Sequence, residues 1–303
     1  MSKTRNGSSA APLRLAKFQD APAWIQRPHI LTGYLLGGTP LPAAAHTLFG
    51  WNNETLNAWT MILGIISALT GFAMAWANFP QRLEAPVLMV LSALPHLPAS
   101  IRLHCTIGVS EQVRDFWRTM DVFFIFTCAV PRAAALGWHV FTARASFQAF
   151  MVVSLLVYMY CIYSTMFARR IKDIPKPILA KDVTVTVVCY TFPVATQAGR
   201  ELLASRPGPA CALYLAVVVL LVLGSSAYSK KWPERWAPGR FDLLGNSHQV
   251  MHLSVVVEYC VEWLFVFHMI GQLQHQESSL SSHKGDDQLG RLLSEIATPH
   301  QRY

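Results

Sequence analysis

The chain predicts an all-α membrane protein of seven transmembrane helices, with its N-terminus cytoplasmic and its C-terminus outside. Three observations carry that prediction. Of its 303 residues, 52% are apolar and only 14% charged, with a mean hydropathy of +0.31, which is too apolar for an ordinary soluble domain of this length. Apolar runs of roughly 20 residues, the length that crosses about 30 Å of hydrocarbon, recur along it. Lysine and arginine also alternate in density between successive loops, and cytoplasmic loops carry the excess.

Seven runs fall near Trp59–Phe79, Pro86–Cys105, Met120–Val140, Gln148–Ala168, Asp182–Gly199, Ala210–Tyr228 and His248–Gly271. Arg132 interrupts the third. In the fifth, residues 183–188 alternate valine with threonine as a strand would, although a closed bundle has no place for one lone strand. The first 50 residues lack a short apolar core followed by a small-residue cleavage site, so the N-terminus is expected to stay in the cytosol. With that end inside, the cytoplasmic segments hold more than twice as many lysines and arginines as the opposite ones. Arg114, Arg118, Arg169, Arg170, Lys172, Lys230 and Lys231 are among them. The orientation is opposite to that of G-protein-coupled receptors and excludes that class.

Three regions follow. Residues 1–50 form a cytoplasmic N-terminal region, disordered to about residue 21. From Pro22 onward Trp24, Ile25, Ile30, Leu31 and Tyr34 can cover the mouth of a bundle, and Gly37-Gly38 and Pro40-Leu41-Pro42 break any helix there. Residues 51–271 form the seven-helix domain. Residues 272–303 form a polar C-terminal tail, expected to be mobile. The formal charge of +8 sits in short juxtamembrane clusters, which suits orientation and anionic lipid and excludes a nucleic-acid partner. The six cysteines lie in or beside the runs without zinc-finger spacing, as packed thiols do.

His248-Gln249-Val250-Met251-His252 opens the last run, placing two imidazoles one helical turn apart where a membrane helix begins. An ionisable pair at that position is compatible with zinc, a proton relay or simple capping. Topology supplies neighbours: His104 ends the second run, with Ser100 one turn earlier on the same face, and Asp121 opens the third, all at the same cytoplasmic boundary. Three neutral imidazoles and a carboxylate suit zinc, with Asp121 or Ser100 able to hold a water beside the metal or accept its proton. The pair is not a metalloprotease helix, because Gln249 stands where that motif places its glutamate base.

Deeper in the last run, Glu258 and Glu262 lie within about a quarter turn of the histidine face. Arg132 reaches a similar depth in the third run. An ion pair between Arg132 and one of these glutamates is expected, since unpaired charges there are costly. The three serve either as a packing clamp or as the polar end of a cavity for a lipid-like ligand.

Several of these residues also fall in recognisable motifs. Residues 51–60, Trp-Asn-Asn-Glu-Thr-Leu-Asn-Ala-Trp-Thr, resemble the box before the first helix of the progestin and adipoQ receptor family, which includes adiponectin receptors, membrane progestin receptors and haemolysin III relatives. Ser100-x-x-x-His104 with Ser110-Glu111 and Asp121 is similar to its second motif. Residues 233–242, followed by Ser247-His248-Gln249-x-x-His252, resemble its third. Leu35 stands where the family often has arginine, and Met61 where histidine is usual after Trp-Thr.

The resemblance implies zinc held by His104, His248 and His252, with Ser100 and Asp121 near the metal water. It implies a receptor in the plasma membrane or an internal membrane of the Golgi or endoplasmic reticulum. Such a receptor answers a lipid, steroid or adipokine-like ligand and passes a change of shape to a cytoplasmic signalling partner. Equally, it implies a zinc-dependent hydrolase of ceramide-like amides in which Asp121 handles the proton. A third reading leaves zinc as a staple of the bundle.

Overall fold

The structure, a computed structural model, describes residues 15–36, 45–167 and 176–297. Arg169, Arg170 and Lys172, the helix-breaking residues 37–42 and the first 14 residues lie outside them. Among the described residues seven helical segments are long and apolar enough to span a bilayer. They are α1 (Thr55–Asn78), α2 with α3 (Glu84–Leu91 and His96–Thr106), α4 (Glu111–Gly137), α5 (Arg144–Ile162, continued by a π turn to Phe167), α6 (Lys176–Leu203), α7 (Pro209–Lys230) and α8 (Ser247–Ala297). This is a multi-pass, all-helical membrane protein.

The spans form a ring: each packs on the next, and α8 returns against α1, while α4 also touches α6 and α8. The sequence of α1 shows why. Its buried line runs Met61, Gly64, Ala68, Gly71 and Ala75 at spacings of three and four, while Leu63, Ile66, Leu69, Met74 and Trp76 face outward. Small residues inside and large apolar ones outside invert a soluble helix, because lipid solvates leucine and close backbone approach is what favours contact between membrane helices. At Gly71 a Cβ would lie 2.5 Å from the Trp263 ring of α8. Gly71→Ala is therefore expected to lower stability by about 1–3 kcal/mol through overpacking. Gly199→Ala, with nothing within 4 Å of its added carbon, should stay within about 0.5 kcal/mol of the parent; thermal unfolding in detergent compares the two.

Several expectations are refined. The second span is broken at residues 92–95, where Pro95 stands in the cap position of α3, while Pro131 and Pro193 are accommodated inside α4 and α6. The third helix begins at Glu111, nine residues before its apolar run, because Ser110 Oγ accepts the Val113 amide and caps it. The threonine-rich stretch of α6 is helical: Thr184 and Thr186 bond back to the carbonyls of Ala180 and Asp182, so their hydroxyls are satisfied without a sheet. The last helix does not stop at Gly271 but continues through Ala297.

Order also starts earlier than residue 21. Leu15–Ala16 (β1) pairs antiparallel with Tyr34–Leu35 (β2), closing residues 15–36 into a strap whose Ala16, Ala21, Ile25, Ile30 and Tyr34 pack together and against Ile107. The strap is fastened at several points. Asp242 accepts from the Leu31 amide at 2.9 Å and from Thr32 Oγ1 at 2.7 Å, Gly33 O accepts from the Asn53 amide, and Arg114 donates to Trp24 O while lying over its ring.

Candidate metal centre

Three imidazoles converge where α3 ends and α8 begins. His104 lies in the last turn of α3, and His248 and His252 project from the first two turns of α8. One nitrogen of each ring lies within 4.8 Å of one nitrogen of both others, and ring centroids are 5.2, 5.0 and 4.4 Å apart. His104 and His252 are buried. Helix geometry produces the pair on α8, since residues four apart share a face, and Asn246 Oδ1 caps that helix by accepting the His248 and Gln249 amides at 3.2 Å.

The loop before α8 fixes its start. Buried Glu234 accepts from the Ser247 amide at 2.7 Å and from its hydroxyl. Gln249 accepts from the Gly245 amide at 2.6 Å and donates to Leu243 O at 3.0 Å. Both ends of that side chain are committed to the loop, so the residue occupying the protease-base position clamps backbone instead of meeting the imidazoles.

The first turn of α1 orients the rings, a role the sequence reading of the Glu54 box does not assign. Glu54 Oε2 accepts from His104 Nδ1 at 2.8 Å and from Asn57 Nδ2 at 2.7 Å, and Arg27 from the strap sits 2.8 Å from Oε1. Burial by itself would raise this carboxyl, but Arg27 and the hydrogen bonds from His104 and Asn57 hold it down at about 2. As an ionised carboxylate has no proton to give, His104 must carry hydrogen on Nδ1 and present Nε2 with a free lone pair.

A parallel deduction applies to His252. Its Nδ1 lies 3.2 Å from both Asn57 O and Thr60 Oγ1, while the Thr60 hydroxyl donates to Asn57 O at 2.7 Å. The ring must then donate from Nδ1, which again frees Nε2. His248 Nδ1 is buried and lacks any hydrogen-bond partner.

This donor set fits zinc. Two rings are held at Nδ1 by a carboxylate and a backbone carbonyl, the outer arrangement that metal-ligating histidines use. The third has an orphaned buried nitrogen, which is costly without a partner of some kind. Asp121 Oδ1 lies 3.2 Å from His96 Nε2. Ser100 is buried one turn before His104. His96, at the start of α3, is a neighbour of Asp121 that pattern reading passes over, and only the break in the second span brings it there.

Arg132 meets both glutamates. Nη2 lies 2.8 Å from Glu258 Oε2 and Nε donates to Glu262 Oε2 at 2.5 Å, and both carboxylates are fully buried. The guanidinium is sandwiched by Tyr190 and Tyr259, 4.7 and 5.1 Å from the ring centroids. The Tyr190 hydroxyl donates to Glu258 Oε1 at 3.4 Å. This second cluster is internal to the bundle and separate from the imidazoles, about 15 Å along α8 from His252 to Glu262 at 1.5 Å per residue.

A family model described as Haemolysin-III related matches residues 49–263. Over 272 residues the chain is 26% identical to the ADIPOR-like receptor IZH1 of Eremothecium gossypii, covering 84% of each protein. It is 27% identical over 258 residues to human membrane progestin receptor gamma, covering 80% of this chain and 78% of that one. It is 24% identical over 255 residues to mouse membrane progestin receptor beta, covering 78% and 71%. The matched region takes in the Glu54 turn, all three histidines, Asp121 and the Arg132 cluster.

Proposed function

Since the chain belongs to the haemolysin-III-related family, among the progestin and adipoQ receptors, we propose that it is a zinc-binding seven-helix receptor for a hormone or lipid-like ligand. His104, His248 and His252 would hold the metal. The observation that carries the reading is three imidazoles with one nitrogen each within 4.8 Å of the others, two of them held at Nδ1 by Glu54 and Asn57. Relatives named as progestin receptors support the ligand class. The basic residues of alternate loops support a cytosolic N-terminus, which puts the metal at the cytoplasmic end of the bundle, where a signalling partner can sense the helices that the site ties together.

Zinc determination on purified protein tests this. About one ion per chain that survives dialysis supports the proposal; a metal-free protein that takes up no zinc on titration overturns it.

A second reading is a lipid amide hydrolase, favoured by the Asp121 carboxylate, whose buried Oδ1 has His96 Nε2 at 3.2 Å. Bound zinc would supply Lewis acidity toward a carbonyl there. In this reading Asp121 would take a proton from a bound water and Ser100 would position that water. Asp121→Ala is expected to keep its zinc and, if this reading holds, to lose roughly 10²–10⁴-fold in ceramide-like amide hydrolysis. Absence of hydrolysis from the wild type with zinc fully bound sinks it.

A further inference from the structure

The Glu54 carboxylate has two clients from different parts of the fold. One oxygen takes the hydrogen of His104, at 2.8 Å, and the other takes Arg27, also at 2.8 Å. Arg27 belongs to the strap of residues 15–36, which is otherwise held by hydrogen bonds to Asp242, Asn53 and Arg114 and by packing on Ile107. The carboxylate itself cannot move far. Asn57 Nδ2 holds the same oxygen that His104 uses, and Asn52 fixes the turn by accepting the Glu54 amide at 2.9 Å and donating to Gly50 O at 2.8 Å.

We infer that Glu54 is a positioning residue for His104 and the joint that couples the N-terminal strap to the metal site, so that docking of residues 15–36 and binding of zinc strengthen each other. This goes beyond the zinc-site reading and depends on it. The physical chain is short. An anionic acceptor on Nδ1 makes Nε2 a better donor to a cation and holds the ring in one orientation. Arg27, 2.8 Å from the other oxygen, holds that acceptor still. Conversely, a metal that immobilises His104 immobilises Glu54, which then offers Arg27 a fixed partner and a better-docked strap. Coupling between the two events must be reciprocal, because both belong to one thermodynamic cycle.

Arg27 keeps about a quarter of its side chain exposed while Glu54 keeps 3%. Release of the strap would therefore take Arg27 from the carboxylate without parting any helix from its neighbours.

The test uses the full-length protein in detergent or nanodiscs, with zinc as the probe. Zinc affinity is measured by chelator competition for wild type, Glu54→Gln and Arg27→Gln, and hydrogen exchange of residues 18–36 is followed with and without zinc. Glu54→Gln preserves shape and is expected to weaken zinc about 10–100-fold, with a shifted visible band when cobalt replaces zinc. Arg27→Gln, at the rim of the site, is expected to weaken zinc several-fold.

In the wild type, zinc should slow exchange of the strap; in Glu54→Gln that protection should vanish. If zinc affinity in both variants stays within twofold of wild type, or if strap exchange ignores zinc, the inference is overturned while the zinc site stands. Failure of the wild type to bind zinc overturns both. Loss of fold in Glu54→Gln shifts the decision to Arg27→Gln and to the wild-type exchange experiment, each of which decides alone.

Discussion

Replacing His252 by alanine is expected to abolish stoichiometric zinc while leaving the seven helices in place. The affinity loss should exceed the 10–100-fold that removal of an outer hydrogen-bond partner costs. The imidazole has no substitute: its ring is buried, its Nδ1 is spent on Asn57 O, and no other nitrogen or carboxylate is placed to offer a lone pair at the same point among the described His, Cys, Asp and Glu groups. Metal analysis of the purified variant, with circular dichroism to confirm helix content, checks the expectation. Wild-type zinc content in His252→Ala would remove this histidine from the ligand set. Equal losses in His104→Ala and His248→Ala are predicted, because a three-ligand site that loses any one member falls to two.

Replacing Arg132 by methionine should be the most destabilising single change in the bundle interior, by about 3–5 kcal/mol, since it leaves Glu258 and Glu262 buried without their cation. At this size that corresponds to a melting temperature lower by on the order of 10 °C. The cause predicts its own remedy. With Glu258→Gln and Glu262→Gln added to Arg132→Met, no charge remains to be compensated, and most of the loss should be recovered, because neutral or apolar groups of like volume commonly replace a buried ion cluster at little cost. Thermal unfolding of the single and triple variants decides it. A triple variant as unstable as the single one would show that packing of the guanidinium between Tyr190 and Tyr259 matters more than its charge.

Much of this architecture is readable from the chain. Seven apolar runs announce seven helices, and helix-end positions put His104 level with His248 and His252. Counting residues along two helices sets Arg132 level with Glu262. Each of those inferences needs only a period, a rise per residue and the thickness of a bilayer.

What escapes such reading is contact that no period encodes. Glu54 reaches His104 across fifty positions because the first turn of α1 tucks beneath the end of α3, and Arg27 joins them from a segment with no helix at all. The break at residues 92–95 is invisible to hydropathy, since a proline in an apolar run marks a bend only when neighbouring helices leave room for one. The extension of α8 to Ala297 is missed for a different reason. Hydropathy reports where a helix leaves hydrocarbon, whereas its hydrogen bonds run on for as long as the residues tolerate them.

The two polar clusters on α8 have a consequence for how the bundle finds a single arrangement. In hydrocarbon one apolar helix face meets another about as favourably one turn further along, because lipid and leucine are equally oily. α8 escapes that degeneracy because it is pinned at two heights to two different partners. Its His252 is held to α1 through Asn57 O, and its Glu258 and Glu262 are held to Arg132 of α4. A slide by one turn, about 5.4 Å, would part both sets together, and so would a rotation about the helix axis. The pins act as a two-point gauge that fixes translation and azimuth at once, leaving the greasy remainder of the helix free of any duty but to fit.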